Sequence, residues 1–285
     1  MAIEKVSTIL KDAAKHGYGV PAINVFNYET IKWAIQAAQE ERYPIIIQFY
    51  PGLDSYIPLS VVSGIAKDLA ARSSTPVGIH LDHSVSFEQA VSGIKCGFPS
   101  VMVDGSSLDF EKNAALTAQV VKTARVFGIE VEGELGHVGS GGNMDDFKNP
   151  NNFTSVEEAV RFVEITEVDS LAVSVGNAHG AYIATPRLDF DRMRALRSAV
   201  SGSLVMHGCS DIPAEQLQEA VKIGFSKFNI ATEYLRAFNH ELFNGVDEKV
   251  KSMNNAIATF SSIEAATKEF VRNKIRLLNL SGFKV

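Results

Sequence analysis

Short apolar runs alternate with longer amphipathic stretches along nearly the whole chain. Eight runs have strand length and are rich in apolar and β-branched residues: 20–26, 44–49, 77–82, 100–104, 130–135, 170–175, 204–207 and 227–230. Some, such as Leu171-Ala172-Val173, are apolar at every position, as strands covered on both faces of a parallel sheet require. The stretches between them carry helical signals. Ile31, Ala34, Ile35 and Ala38 form one stripe at the 3.6-residue period. Ser86 with Gln89, and Thr154 with Glu157, read as capping boxes ahead of apolar stripes. Pro213 suits the first turn of a helix running to Gly224. Eight alternating units without a linker predict an α/β fold, a single (β/α)8 TIM barrel over residues 1–285. The helical tail after Glu233 exceeds one barrel helix and predicts extra C-terminal helices. One segment breaks the rhythm: residues 137–152 are polar and glycine-rich, long enough for a mobile lid.

Composition narrows the function classes. With 46% hydrophobic residues the chain can build a large core. A net charge of −6 counts against a nucleic-acid partner, and an anionic substrate has to be held by local groups. Cys96 and Cys209 form no CxxC pair, so neither a disulfide framework nor a thiolate zinc knuckle is expected. No apolar run approaches the roughly 20 residues of a membrane span, and the N-terminus has no long apolar region. A cytoplasmic protein with no membrane partner is expected.

Chemistry concentrates at the ends of the runs. His83, His179 and His207 end the stretches VGIHLDH, SLAVSVGNAHG and LVMHG, and Asp82 precedes the first. In a parallel barrel the strand carboxyl ends form the working rim. Asp104, Glu132, Glu134 and residues 229–232 fall at that rim too. Three neutral imidazoles with an open fourth position make a catalytic zinc shell. Strict alternation sends Asp82 and His83 to opposite faces, so the strand has to end or bulge there. His16, His80, His137 and His240 carry no such signal. Lys227 opens the eighth run and is expected at the opposite rim, which leaves no lysine for a Schiff base.

In order, HLDHS, VMVDGSS, VEGELGHVG, VGNAHGAY, HGCSDIP and FNIATE resemble the motifs of the class II (metal-dependent) ketose-bisphosphate aldolases over residues 17–240. The NIATE ending and the compact length are more similar to the tagatose-bisphosphate branch. The resemblance implies Zn2+ on His83, His179 and His207, with Glu134 holding the metal at an alternative resting position. It implies Asp82 as the acid/base at the C4 oxygen. Gly180, Gly208 and Ser210 match a phosphate cradle, and Asn229 and Thr232 match contacts to the dihydroxyacetone half. It further implies a monovalent cation near the phosphate, a sugar-phosphate substrate and a homo-oligomer, dimer or tetramer.

Several positions depart from the family pattern. The lid reads GSGGNMDD where a glutamate is usual, leaving Asp145 or Asp146 to exchange the C3 proton. Ile183 replaces a lysine, Asp211 a glycine, and Ser84 a glycine. Losing that cation weakens phosphate binding, since a hydrogen bond to a charged group contributes about 1.5–3 kcal/mol. Arg187 is a candidate replacement, and Asp211 also suits the start of the helix near Pro213. Three alternatives remain open: a ketose without the usual phosphate, a zinc hydrolase on the same barrel, and a non-catalytic sugar-binding paralogue.

Overall fold

A computed structural model describes residues 3–285. Eight parallel strands close into one barrel in sequence order. They are β1 (Val20–Asn24), β2 (Ile45–Phe49), β3 (Val77–Ser84), β4 (Ser100–Val103), β5 (Glu130–Leu135), β6 (Ser170–Val173), β7 (Ser203–Met206) and β8 (Phe225–Ile230). All eight predicted runs are strands. Their buried outward residues pack on a ring of helices, which is why they read as continuous apolar runs.

Helix α1 (Val6–His16) lies against the amino ends of the strands, burying Val6, Ile9, Leu10 and Ala13. The ring continues with α2 (Tyr28–Glu41), α3 (Leu59–Ala71), α4 (Phe87–Lys95) and α5 (Phe110–Val126). A short α6 (Met144–Lys148) sits in the lid, followed by α7 (Val156–Thr166), α8 (Phe190–Ala199) and α9 (Ala214–Ile223). The predicted C-terminal extension is present as α10 (Thr232–His240), α11 (Glu248–Ser252) and α12 (Ala256–Leu278). Helix α12 packs beside α2 and α9. Trp33, Phe238, Val246 and Ile263 form a small second core between these added helices and α2.

Two local expectations shift. Asn27, not singled out from sequence, closes a reciprocal capping box with Thr30 at the start of α2. The cap of α7 is Ser155, which accepts from the Glu158 amide. Thr154, predicted as that cap, is fully committed elsewhere. Its hydroxyl donates to the Leu135 carbonyl and accepts from the Ser174 amide, joining the ends of β5 and β6.

The barrel interior is polar. Lys227 is the third residue of β8, not the first, and its side chain lies inside the barrel, not at the opposite rim. It shares that interior with His80 and Glu132. Substituting Thr154→Val keeps the volume but strands the buried Ser174 amide and Leu135 carbonyl. We expect a loss of about 1–3 kcal/mol, read as a lower urea midpoint with an unchanged slope.

Candidate functional site

The carboxyl ends of the strands surround a cavity of about 600 Å³. Its wall includes Asn24, Asp82, His83, Asp104, His137, His179, Gly180, Gly208, Ser210, Asn229 and Thr232. Both neighbours Asp82 and His83 face it because β3 is irregular there. The β3–β4 register slips between Leu81 and Ser84, and His83 takes a positive φ of 43°. A non-glycine residue pays a steric penalty in that region, so the surroundings have to hold it. This is the bulge that alternation demanded.

Three imidazoles meet at the bottom of the cavity, His83 and His179 on its wall and His207 buried behind them, and each is oriented through one nitrogen. His83 Nδ1 lies 2.9 Å from Asp104 Oδ2, and His179 Nδ1 lies 2.9 Å from the Val138 carbonyl. His207 Nε2 lies 3.0 Å from Glu132 Oε1. A carbonyl can only accept, and so can an ionised carboxylate, so each of these nitrogens carries hydrogen. In a neutral ring the other nitrogen is then a bare lone pair. Those remaining atoms converge: His207 Nδ1 is 3.0 Å from His83 Nε2, and all three lie within 4.8 Å of one another. His179 Nε2 has no hydrogen-bond partner among the described residues. Facing lone pairs repel unless a cation lies between them. Two nitrogens on one tetrahedral zinc stand about 3.4 Å apart, near the 3.0 Å between His207 Nδ1 and His83 Nε2, so the three rings are grouped as candidates to hold a single ion. Without an ion, a proton fills that need. Burial alone would lower the His83 imidazole, but Asp82, Asp104 and Glu134 hold it up at about 10. His179, buried beside that positive ring, is pushed down to about 3.

Glu134 lies beside this group. Its Oε2 is 3.6 Å from His207 Nδ1, and neither carboxylate oxygen has a hydrogen-bond partner among the described residues. Burial, with repulsion from Asp104, raises its pKa to about 8. With His83 and Asp104 it forms a second group able to hold a metal ion.

Asp82 is buried yet stays ionised. Burial would raise its pKa, but His83, His207 and Lys227 lower it below the ordinary value. Its Oδ2 accepts from Asn24 Nδ2 at 2.8 Å and Gln48 Nε2 at 3.2 Å. Its Oδ1 faces Asn229 Nδ2 at 3.4 Å. Below, Lys227 Nζ reaches Glu132 Oε2 at 2.8 Å, and Ser170 Oγ donates to the same oxygen at 3.2 Å. Burial would raise Glu132, but Lys227 and His207 hold it well below the ordinary range.

Sequence reasoning did not assign Asn24, Gln48, Lys227 or the Val138 carbonyl to this site. Lys227 had one signal, its alternation with Asn229, which puts both on the inner face of β8.

Other predicted positions lie elsewhere. Ser84 is buried, and its hydroxyl has no partner among the described residues. Ile183 is 62% exposed and is not on the cavity wall. Its amide donates to the Gly141 carbonyl at 3.0 Å, tying its loop to the lid. Asp211 keeps the left-handed backbone of a glycine, φ 62°, so the cradle loop holds its path. Its carboxylate pairs with Arg236 and does not cap α9, whose N-cap Pro213 has no side-chain partner. Arg187 lines a separate cavity with Asp189 and Arg194. Asp145 and Asp146 are off the main cavity wall, in α6. Gly208 has φ 59°, and a Cβ there would sit 2.0 Å from the Ala178 carbonyl oxygen, so only glycine fits.

The chain belongs to the class II fructose-bisphosphate aldolase family, whose model matches residues 4–283. It is similar to the YdjI aldolase of Escherichia coli K12, at 32% identity over 97% of each chain and a TM-score of 0.86. The Campylobacter jejuni fructose-bisphosphate aldolase Fba shares the fold, with a TM-score of 0.80 at 21% identity over 97% of this chain and 95% of that one.

The interior ion pair gives a stability test. Lys227→Met leaves the Glu132 carboxylate buried without its cation, and we expect a cost of about 3–5 kcal/mol. Because the folded pKa of Glu132 is depressed, its contribution is full above the ordinary value of about 4.3 and is lost as pH falls. Glu132→Gln should therefore flatten the acid limb of the stability–pH curve measured by urea unfolding.

Proposed function

We propose that this chain is a metal-dependent aldolase that reversibly splits a ketose at C3–C4 into a dihydroxyacetone unit and an aldehyde. One observation carries the reading: three imidazoles offer converging lone pairs beside the ionised Asp82 at the bottom of one cavity, two of them on its wall. His83, His179 and His207 would hold the divalent ion, and zinc suits a donor set of three imidazole nitrogens. Glu134, whose carboxylate oxygens have no hydrogen-bond partner among the described residues, would offer the resting position. When bound there, the ion would supply Lewis acidity to the ketone oxygen, its charge undiminished by neutral ligands.

Asp82 takes the proton from the C4 hydroxyl in cleavage. The O–H electron pair then forms the aldehyde carbonyl, and the C3–C4 pair passes to C3. In condensation Asp82 returns the same proton. Asn24, Gln48 and Asn229 hold the carboxylate in place for both directions. Gly208, Ser210 and the start of α10 at Thr232 offer polar groups to the far end of the dihydroxyacetone half. Asp104, the Val138 carbonyl and Glu132 fix the three rings, so Glu132→Gln should weaken zinc binding about 10–100-fold.

A second reading of the substrate rests on its own observation: among the described residues, no lysine or arginine lines the cavity. Ile183 faces outward, and Arg236 is already paired with Asp211. This favours a ketose without the usual phosphate on the ketone half over a bisphosphate.

Two measurements test these readings. Chelator treatment should abolish aldehyde release and zinc should restore it, while Asp82→Asn should lower kcat about 10²–10⁴-fold. No aldehyde from any ketose would favour a sugar-binding role. Introducing Ile183→Lys with Asp211→Gly should shift kcat/KM towards phosphorylated ketoses by about 10–100-fold, the worth of one charged hydrogen bond. Efficient cleavage of a bisphosphate, unchanged in that double variant, would establish the phosphate reading instead.

A further inference from the structure

We propose that His137 is the acid/base that exchanges the proton at C3, a role that rests on the aldolase reading above. The chemistry needs two proton-transfer groups. Cleavage leaves an electron pair on C3, shared with the ketone oxygen, and a proton has to reach C3 before the ketone departs. Asp82 already carries the proton taken from O4, so another group has to supply this one.

The histidine and carboxylate side chains on the cavity wall are Asp82, His83, Asp104, His137 and His179. His83 and His179 belong to the imidazole cluster, and Asp104 is bonded to His83 and Ser106. His137 is exposed to the cavity, and its ring makes no hydrogen bond among the described residues. The aspartates of the lid are committed within it. Asp146 accepts from the Ser140 amide at 2.7 Å and from Asn143 Nδ2 at 2.8 Å. Asp145 accepts from Asn149 Nδ2 at 3.1 Å.

The placement of His137 is firm because the chain just after it is stitched to His179. The Val138 carbonyl meets His179 Nδ1, the His179 amide donates to Gly139 O at 2.7 Å, and the Gly141 amide donates to His179 O at 2.7 Å. His137 is therefore the immediate chain neighbour of a residue bonded directly to an imidazole of the cluster. Imidazole can both accept and donate a proton at a ring nitrogen, which suits it to move a proton both ways. In condensation, the neutral ring takes a proton from the hydroxymethyl carbon of the dihydroxyacetone unit. The C–H pair becomes the C=C bond of the enediolate, and the carbonyl π pair moves to oxygen. In cleavage the imidazolium returns that proton to C3, and no other reactant is consumed.

The test follows exchange of the methylene hydrogens of dihydroxyacetone and of dihydroxyacetone phosphate for deuterium, by NMR, with the zinc-loaded full chain. His137→Asn should slow exchange about 10²–10⁴-fold, with zinc content and melting temperature unchanged, while Asp145→Asn stays within a few-fold of the unaltered enzyme. Exchange at the unaltered rate in His137→Asn overturns the proposal and leaves the aldolase reading standing. So does an equal loss in Asp145→Asn, or loss of zinc together with exchange, which would mean that His137 only holds the lid. If the unaltered enzyme exchanges neither probe and releases no aldehyde from any ketose, the aldolase reading itself falls, and this proposal with it.

Discussion

Lone pairs aimed at one another inside a barrel are the constraint around which this molecule is arranged. Three acceptors, the Asp104 carboxylate, the Val138 carbonyl and the Glu132 carboxylate, each claim one nitrogen of a different imidazole. That leaves the opposite nitrogens turned towards a common point, where only a positive charge relieves the repulsion. The polar interior follows from the same constraint. Glu132 can be buried because Lys227 neutralises it, and Lys227 is accommodated because the barrel encloses it with that partner. The barrel is thus both the scaffold of the site and part of its electrostatics.

Much of the fold was legible because parallel strands covered on both faces have to be apolar at successive positions. Strand limits moved by two residues or fewer, and the one shift with consequences was at β8. Starting that strand at Lys227 exiled the lysine to the far rim; starting it at Phe225 puts the same side chain under His207. The three histidines were legible as run endings. The left-handed turn at His83 was legible only as a conflict between two neighbours that both had to face inward. The Glu132–Lys227 pair joins residues 95 positions apart. No local pattern announces a pairing of that kind, since it arises only when the sheet closes. Thr154 carried a good capping motif, but two buried backbone groups competed for its hydroxyl and took it.

The substituted positions separate conformation from charge. Asp211 adopts the backbone that its glycine counterpart would, a region where aspartate is tolerated better than most residues. The loop path survives, and what changes is the local charge, which Arg236 balances. Ile183 keeps its amide bond to the lid while its side chain turns to solvent. The shape of the substrate end is therefore retained while its electrostatics are altered.

The Val138 carbonyl is a main-chain atom, and every amino acid at position 138 supplies one. A side-chain scan would therefore report position 138 as silent, or would register only its packing, although the ring orientation of His179 hangs on it. Evolution faces the same blindness. The hydrogen bond constrains the path of the peptide at position 138 and not its side chain, whose choice is limited by its buried packing alone.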